Sequence, residues 1–434
     1  MWINFPKNSN PPRIQSESLA MKILLVHNSY QQPGGEDVVV AAEKQLLIER
    51  GHQVVEYLRD NNEIAAYGRF RKATLTARTV WAWDSVRDLR TLLRREKPDL
   101  AHFHNTFPLI SPAAYYVCRE AGVPVVQTLH NYRLLCPASN FLREGRACED
   151  CLHHSLWRGI LHSCYRNSRV ATSQVALMLA VHRWLHSWTC CVDCFIALYE
   201  SNRQKFIQGG IPEEKIVTKP NFVPVDPGCR VGNGEYAVYV GRLSPPKRVL
   251  TLLSAWQRLR ARIPLRIAGS GPDREFLELQ AKQWGLSDVR FLGQLSHDEA
   301  IALIKGARCL VVTSECYEAF GLVMIEAFAC GVPVVCSRLE NIEEVTVEGH
   351  TGLQYTPGDP DDLARKVEWA WAHPMQMGAM GRAARAEFEA KFTPECNYKM
   401  LMQIYQKALD ARSNLAGPPQ AAGASSDPAG AEVT

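Results

Sequence analysis

The chain has 434 residues, of which 46% are hydrophobic and 22% charged, so its apolar side chains suffice for more than one buried core. Its formal net charge of +4 is too small to indicate nucleic-acid binding, although it would suit an anionic small molecule or contact with an acidic membrane. No run approaches the roughly eighteen apolar residues of a membrane span, so we expect no transmembrane helix.

The two ends of the chain differ in composition from the rest. Residues 1–20 are polar and contain prolines, without the apolar stretch of a signal peptide, so we expect a disordered extension and a domain that starts at Met21. Residues 414–434 are rich in Ala, Gly, Pro and Ser and are also expected to be disordered. Since no secretory signal precedes the 14 cysteines, we expect mostly reduced thiols in a cytoplasmic protein.

Between these ends, short apolar runs alternate with segments of helical periodicity in two halves of the chain. We interpret as strands the runs KILLVHN, HQVVEYL, DLAHFHN, VPVVQTLHN and DCFIALYES, then YAVYVGRL, LRIAGSG, VRFLGQL, CLVVTS and VPVVCS. Residues 219–234, rich in proline and glycine, are the predicted linker between domains at 21–218 and 235–393. The sequence therefore predicts an α/β protein of two Rossmann-like doubly wound parallel-sheet domains, with a ligand cleft between the carboxyl ends of their strands.

Two glutamates stand in an otherwise apolar stretch of the second half. The run CLVVTS ends a strand near Ser314, and FGLVMIEAFACG predicts a helix from Phe320 to Gly331. Glu318 then lies in the loop before the helix and Glu326 about two turns away. An unpaired carboxylate in a buried element is costly, whereas the free N–H groups of a helix start can bind a phosphate. Acids beside such a start could hold sugar hydroxyls, which predicts a nucleotide-sugar site.

Several motifs resemble one enzyme family. The stretch EAFGLVMIE resembles the E-x7-E motif of retaining glycosyltransferases with the B-type two-Rossmann fold, and more narrowly of glycosyltransferase family 4, also called glycosyl transferases group 1. GRLSPPKRV resembles the family's G-R-L-x-x-x-K signature, IAGSGP its strand and turn next to the nucleotide, and PGGED its glycine-rich loop. QTLHNYRLLCP is similar to the segment with the family's active-site histidine. The resemblance covers roughly residues 21–412.

The resemblance implies roles for individual residues. Glu318 would contact the donor sugar, Glu326 would bind the nucleotide ribose, and His130 would be the active-site histidine. Arg242 and Lys247 would neutralise charge on the diphosphate as the glycosidic bond breaks. The other residues implied at the donor site are Gly34, Gly35, Gly241, Gly269, Phe320, Gly321 and Leu322.

The mechanism implied by the resemblance needs no catalytic metal. In retaining members of this fold the acceptor is inferred to attack from the leaving-group face, so no separate base is required. The two glutamates would then not act as the acid and nucleophile of a glycosidase. A last helix over residues 394–413 would cross back to the N-terminal domain, as is common in this fold.

The sequence departs from the family pattern after VPVVCSRL. Glu340 stands where the family usually has glycine, whereas Glu344 matches its acid. The extra negative side chain puts donor choice or the local loop geometry in question. Further along, Asp359 and Asp361 resemble a metal-binding pair, but a helix N-cap with acids that favour the helix dipole explains them better.

A second distinctive pattern is formed by four cysteines, Cys136, Cys148, Cys151 and Cys164. One C-x-x-C knuckle with a dozen or so residues on either side suits a tetrahedral structural zinc, which would order the polar insertion at residues 136–164. The alternative is reduced cysteines in a loose insertion. Cys191 and Cys194, also spaced C-x-x-C, run into a strand and fit a core position better.

The helix predicted at residues 168–188 is apolar on one face. Packing against the first sheet explains this face, but a membrane-facing acceptor surface, helped by the basic residues 69–78, is an alternative. His102 and His104, in AHFHN, fit structural or cleft-lining positions better than catalytic ones.

Together these features predict a retaining glycosyltransferase. It would move a sugar from a nucleotide-diphosphate sugar to a glycan or lipid-linked acceptor for cell-surface polysaccharide, in the cytoplasm or at the inner membrane face. Two alternatives are a nucleotide-sugar epimerase of the same fold and an inactive nucleotide-sugar-binding protein. Release of free nucleoside diphosphate in the presence of an acceptor distinguishes the transferase from both.

Overall fold

The computed structural model describes most of the chain, as residues 20–31, 34–68, 74–315, 317 and 320–416. The segments expected to be disordered lie largely outside these residues, and so does Glu318. Among the described residues no helix has both the length and the apolar character needed to cross a membrane.

The N-terminal half contains one parallel sheet and a small hairpin. Its strands are β1 (Lys22–Ser29), β2 (Gln53–Asp60), β3 (Leu100–Phe103), β4 (Val125–Thr128), β5 (Leu142–Arg143), β6 (Arg146–Ala147), β7 (Cys194–Ala197) and β8 (Ile216–Thr218). Six of them form a sheet in the order β2–β1–β3–β4–β7–β8, with every neighbouring pair parallel. The antiparallel hairpin β5–β6 lies in the cysteine-containing insertion.

The C-terminal half repeats the same architecture. Its strands are β9 (Tyr236–Val240), β10 (Leu265–Ala268), β11 (Val289–Gly293), β12 (Ala307–Val312), β13 (Val334–Ser337) and β14 (Gly352–Tyr355). They form a parallel sheet in the order β11–β10–β9–β12–β13–β14. Each sheet reverses its strand order once, between β1 and β3 and between β9 and β12. At such a switch point adjacent loops leave in opposite directions and open a crevice for a ligand.

Helices cover both sheets. In the N-terminal half they are α1 (Gly35–Glu49), α2 (Leu75–Val80), α3 (Trp83–Glu96), α4 (Ala113–Glu120), α5 (Asp150–His153), α6 (Trp157–Leu161), α7 (Arg169–Trp184), α8 (Ser187–Cys191) and α9 (Glu200–Gln208). In the C-terminal half they are α10 (Val249–Arg258), α11 (Arg274–Gln283), α12 (His297–Lys305), α13 (Leu322–Ala329), α14 (Glu340–Glu343), α15 (Pro360–Ala372), α16 (Pro374–Lys391) and α17 (Pro394–Ala416). The predicted fold class of two doubly wound parallel-sheet domains is confirmed.

The central strands are apolar along their whole length because helices shield both faces of each sheet. Every residue of β4 and of β13 is buried, and β1 is buried except at its two ends. Tyr405 and Leu401 of α17 are fully buried in the same cluster as Ile23 and Val126 of the N-terminal sheet. The last helix thus packs on the first domain although it follows the second in sequence, and it extends three residues beyond the predicted end at 413.

The segment predicted as a linker, residues 219–234, begins with residues that pack in the N-terminal domain. Its first residue, Lys219, is fully buried, and its backbone N–H donates to the carbonyl of Ala197 at the end of β7. Phe222 packs in the N-terminal core. Proline- and glycine-rich composition marked the segment as irregular, but irregular backbone can still be packed when its polar groups find partners.

Candidate active site

The carboxyl end of the C-terminal sheet is built from three loops that are tied together. Lys247, at the end of the loop after β9, accepts a hydrogen bond through its carbonyl from Thr313 Oγ1 at 2.7 Å. Ser314, which follows β12, accepts one through its carbonyl from Oγ of Ser337, the last residue of β13, at 2.6 Å. The loop that carries Arg242 and Lys247 is therefore fixed to the strand end that leads towards α13.

The packing of this loop against the backbone of Gly241 requires a glycine at position 269. Gly269 has a φ of +140°, and a Cβ on it would lie 1.9 Å from the carbonyl oxygen of Gly241. The N–H of Gly241 donates to the carbonyl of Ala268 at 3.0 Å. The close approach is between two backbone segments, which explains Gly269 without a direct ligand contact, whereas an added Cβ on Gly241 would lie 3.1 Å from Tyr239 Oη.

Replacing Gly269 by alanine is expected to lower stability by about 2 kcal/mol or more and to weaken donor binding, because the new Cβ must push the Gly241 backbone away. Gly51→Ala is a matched control, since Gly51 has a φ of +87° with nothing within 4 Å of an added Cβ. Thermal unfolding and donor titration of both variants measure the difference. Equal losses in the two variants would mean that only backbone strain matters.

The start of α13 faces the N-terminal domain across the cleft. A Cβ on Gly35, at the start of α1, would lie 3.1 Å from Leu322 Cδ1, at the start of α13. Phe320 stacks on Tyr199 with ring centroids 4.8 Å apart. The N–H of Gly321 donates to Tyr199 Oη at 3.3 Å. Two helix N-termini from different domains therefore meet at one place, and both dipoles favour negative charge there.

Glu326, in the middle of α13, has a histidine partner. His297 Nε2, at the start of α12, lies 3.1 Å from Glu326 Oε1. A hydrogen bond to Glu326 raises the pKa of His297. The Glu326 side chain remains about one-fifth exposed, so it can still reach a ligand hydroxyl.

On the N-terminal side, His130 follows β4 and is only 9% exposed. Its Nε2 lies 2.8 Å from Nδ1 of His104, which follows β3. Burial lowers the pKa of His130 well below its usual range, helped by the charges of neighbouring histidines and a lysine, so the ring is neutral at pH 7. His130 and His104 line a pocket together with Asn105, Arg133 and Trp188.

Two acidic side chains at the start of α1 lie beside His27, whose ring centroid is 6.2 Å from that of His104. Asp37 Oδ1 lies 2.9 Å from His27 Nε2, and Asp37 Oδ2 accepts from the N–H of Gly34 at 2.8 Å. Burial, with a smaller contribution from the charge of Asp37, raises the pKa of Glu36 to about 8. Glu36 is therefore mostly protonated at neutral pH, which lessens the negative charge beside the helix start.

Glu36 makes stability depend on pH. Its pKa of about 8 lies above the ordinary carboxyl value of 4.5, so the folded state holds the proton more tightly than the unfolded state. The resulting stabilisation is complete below about pH 4.5 and is lost as the pH rises through 8, by at most about 1.4 kcal/mol per pH unit. Glu36→Gln is expected to flatten the fall in melting temperature between pH 5 and 8. An unchanged slope in the variant would contradict the assignment.

Glu340 and Glu344 contact the N-terminal domain. Both carboxylate oxygens of Glu344 accept hydrogen bonds at the start of α9, from the N–H groups of Glu200 at 2.7 Å and Ser201 at 2.6 Å. Glu340 Oε2 lies 3.5 Å from Lys205 Nζ on the same helix. The acid that matches the family motif thus caps a helix of the opposite domain in this structure.

The structure also places the other residues that the sequence analysis singled out. Asp359 Oδ1 caps α15 by accepting from the N–H groups of Asp361 at 2.9 Å and Asp362 at 3.0 Å. Cys191 and Cys194 are buried in the N-terminal cores. The four cysteines of the insertion line one small pocket.

The comparisons with known proteins agree with this architecture. The family description "Glycosyl transferases group 1" matches residues 230–387, and "Glycosyltransferase Family 4" matches residues 33–227. The glycogen synthase of Mycobacterium tuberculosis strain H37Rv is 36% identical over 329 residues, which cover 73% of this chain and 70% of that protein. The chain belongs to the group 1 glycosyltransferases.

Other relatives of this glycosyltransferase match in part or in fold. The D-rhamnosyltransferase WbpZ of Pseudomonas aeruginosa is 32% identical over 160 residues, 36% of this chain and 42% of that protein. The crystal structure of Anabaena Alr3699/HepE in complex with UDP and glucose superimposes with a TM-score of 0.62 at 20% identity, covering 89% of this chain and 100% of that one. The resemblance drawn from the motifs is confirmed.

Four residues at the glycosyltransferase site were not predicted from the sequence. Tyr199 and Lys205 come from α9 and its N-cap, Glu36 from the first turn of α1 and His297 from that of α12. The motif PGGED contains Glu36, so its acid could have been found beside the glycines. The others meet the site only through contacts between segments far apart in sequence.

Proposed function

We propose that this glycosyltransferase transfers a hexosyl group, with retention of configuration, from a nucleoside diphosphate sugar to a glycan or lipid-linked acceptor in cell-surface polysaccharide synthesis. The observation that carries the donor assignment is the meeting of the starts of α1 and α13 at Gly35 and Leu322. The partial positive charges of two helix N-termini, together with the cationic side chains of Arg242 and Lys247, would attract the negative charges of a diphosphate.

The family resemblance, together with this placement of the described residues, supports the following roles. Lys247 and Arg242 offset the charge that builds on the leaving diphosphate, the largest electrostatic change of the reaction. Glu326 accepts hydrogen bonds from the nucleotide ribose, in part replacing the contact with His297. Neutral His130 and Glu318 bind hydroxyls of the transferred sugar, and no catalytic metal is needed.

The pocket beside His130 is the proposed acceptor site. It lies at the carboxyl ends of β3 and β4 and combines polar side chains such as Asn105 with apolar ones such as Trp188. Arg133 lies over the rings of Phe107 at 4.6 Å and Tyr165 at 4.9 Å, which fixes its guanidinium at the pocket wall. The names of the relatives, a glycogen synthase and a rhamnosyltransferase, support a sugar hydroxyl as the nucleophile.

Donor and stereochemistry can be tested together. The purified protein is incubated with UDP-, ADP- or GDP-linked hexoses and an oligosaccharide acceptor, and release of nucleoside diphosphate is measured. We expect release that depends on the acceptor, and an anomeric proton with the donor's configuration in NMR spectra of the product. Inverted product would exclude retention, and interconversion of sugars without release would indicate an epimerase.

A membrane-facing acceptor surface is proposed on α6 and α7. Val170, Leu177 and Trp184 are spaced by seven residues on one face of α7 and are 71%, 49% and 78% exposed. Trp157 of the neighbouring α6 is 64% exposed, and Arg158 beside it is exposed. Aromatic and aliphatic side chains bordered by cations suit the interface of an anionic membrane.

Co-sedimentation with vesicles tests this surface. We expect binding to phosphatidylglycerol vesicles, weaker binding to phosphatidylcholine vesicles, and loss of binding in the double variant Trp157→Ser/Trp184→Ser. Phe276→Ser is the matched control, because Phe276 is 53% exposed on the C-terminal domain. Equal binding by both variants would rule out α6 and α7 as the contact.

A further inference from the structure

The insertion that contains four cysteines has almost no core of its own. In the range from Leu142 to Ser168, the only buried residues are Cys151 and Gly159. Six non-glycine residues of the insertion and its flanks have φ between 48° and 68°, a left-handed conformation that needs support from the surrounding structure: Ser139, Phe141, Glu144, Ser163, Arg166 and Asn167. Leu152, Leu156 and Tyr165 pack against the N-terminal core but are only partly buried, so apolar packing contributes little to holding this segment in place.

The four cysteines converge on one place. Cys136, Cys148, Cys151 and Cys164 line a single pocket, and all four are free thiols. They come from four separate positions, after β4, after β6, within α5 and after α6. Cys151 Sγ also lies against Gly159, where an added Cβ would be 3.3 Å from the sulfur.

The charges around the pocket match a metal–thiolate centre. Arg143 and Arg158 line it as well, and both reach Asp150, at 2.6 and 3.5 Å. A divalent cation with four thiolates carries a net charge of −2, and with Asp150 included the two arginines reduce the charge of the whole group to −1. Four cysteines without an open position form the ligand set of structural zinc sites.

We propose that these four cysteines bind one structural zinc ion, which orders the insertion so that it bridges the two domains beside the donor site. No three of the sulfur atoms lie within 4.8 Å of one another in the structure. Bonds of 2.3 Å in a tetrahedron bring sulfurs to about 3.8 Å, so binding draws the thiols inward. Metal binding to such a site supplies folding free energy that the segment lacks.

The bridge itself is visible in three contacts. The carbonyl of Gly145, in the β5–β6 turn, accepts from Arg248 Nη2 at 2.7 Å, next to Lys247. Lys205 Nζ lies 2.7 Å from Glu149, and the same lysine pairs with Glu340 of the C-terminal domain. Phe141 and Tyr132 pack edge-on against Tyr317, with ring centroids 6.1 and 6.3 Å apart.

Metal analysis of the full-length protein tests the zinc site independently of activity. We expect about one zinc per chain, released by a mercurial reagent as the four thiols of the insertion react after exposed cysteines such as Cys190 and Cys229. Cys148→Ser/Cys151→Ser should lose the zinc and become sensitive to protease within residues 142–168. The control Cys190→Ser/Cys229→Ser replaces two exposed cysteines and should keep it. Metal-free protein with four free thiols, or with two disulfides, would overturn the proposal.

The bridging role rests on the proposed function and has its own readout. Zinc removal is expected to raise KM for the nucleotide sugar severalfold, because the contact to Arg248 beside the diphosphate loop is lost. An unchanged KM in zinc-free protein would contradict the bridging role of the insertion but not the proposed zinc site. Absence of any transferase activity in the zinc-loaded protein would instead count against the proposed function.

A second, independent observation concerns buried groups behind His130. Glu43 Oε1 lies 2.6 Å from Lys219 Nζ, and its other oxygen, Oε2, lies 3.6 Å from His104 Nε2. Neither Glu43 Oε2 nor His104 Nε2 has a hydrogen-bond partner. His102 is nearby, but its two nitrogens are already bonded to Tyr405 and Thr128 at 2.8 Å each, which leaves it no lone pair for a metal ion.

We infer that Glu43 and His104 are positioning residues that set the tautomer of His130. The carboxylate of Glu43 favours the proton of neutral His104 on Nε2, so that Nδ1 of His104 accepts from Nε2–H of His130. Nδ1 of His130 is then left as an acceptor for a ligand hydroxyl. Burial lowers the pKa of His104 well below its usual range, consistent with two neutral rings.

A double-mutant cycle tests whether His104 acts through His130. His104→Leu is expected to lower kcat/KM about tenfold or more, but to add nothing when His130 is already alanine. His104→Asn, whose amide can take the place of Nδ1, should restore activity, whereas His104→Gln should not. Additive losses in the cycle, or equal activity of the asparagine and glutamine variants, would overturn the inference.

Discussion

Replacing Lys247 by alanine is expected to lower kcat by about 10²- to 10³-fold, the usual cost of removing one preorganised group from a developing negative charge. Lys247 ends the 3-10 turn Pro245–Lys247. Its backbone is fixed by two hydrogen bonds: its N–H donates to the carbonyl of Ser244, and its carbonyl accepts from the hydroxyl of Thr313. Because the backbone bonds survive the substitution, stability should change little.

The comparison of variants separates charge from position. Lys247→Arg keeps the charge but changes its geometry, so it should retain intermediate activity. Lys282→Ala, at an exposed site on α11 of the same domain, is the matched control and should behave like the wild type. Acceptor-dependent release of nucleoside diphosphate measures kcat, and thermal unfolding checks the fold. Activity of the alanine variant within about threefold of the wild type would contradict the role of Lys247.

Replacing Lys219 by methionine is expected to lower the free energy of unfolding by about 3–5 kcal/mol, because it leaves Glu43 charged and unpaired in the interior. The two side chains are 0% and 1% exposed, and they join the end of β8 to α1.

The double variant shows whether the loss of stability comes from the unpaired charge of Glu43. Lys219→Met/Glu43→Leu removes both charges and should recover most of the stability, since a buried ion pair replaced by apolar groups is often neutral. Lys215→Met is the control, because this nearby lysine bonds carbonyl groups and no carboxylate among the described contacts. Denaturation with urea measures all three variants. A double variant less stable than Lys219→Met would show that packing, not charge, dominates.

Local sequence patterns were enough to predict the fold and the family. Fully apolar runs such as VPVVQTLHN occur where a strand is covered on both faces, and GRLSPPKRV and EAFGLVMIE mark loops at strand ends. These features are set by residues close together in the chain. The sequence could therefore indicate which loops belong to the site and which side chains they carry.

Contacts across the cleft could not be predicted in this way. Tyr199 meets Phe320 over a separation of more than 100 residues, and Glu344 caps α9 although the sequence showed only that it matches the acid of the family motif. Lys219 lay in a stretch whose composition indicates a linker, and only the buried partner Glu43 explains it. Such pairs depend on how the two domains meet, for which one sequence has no periodic signal.

The chain passes between the domains twice, once after β8 and once before α17. At that place the N–H of Val223 donates to the carbonyl of Phe392 at 3.0 Å, so the outgoing and returning segments are joined to each other. Two adjacent, bonded segments place the hinge of the molecule here, because a rocking movement about this point disturbs them least. Such a movement opens the cleft most on the side away from the two segments, where we expect a product to leave.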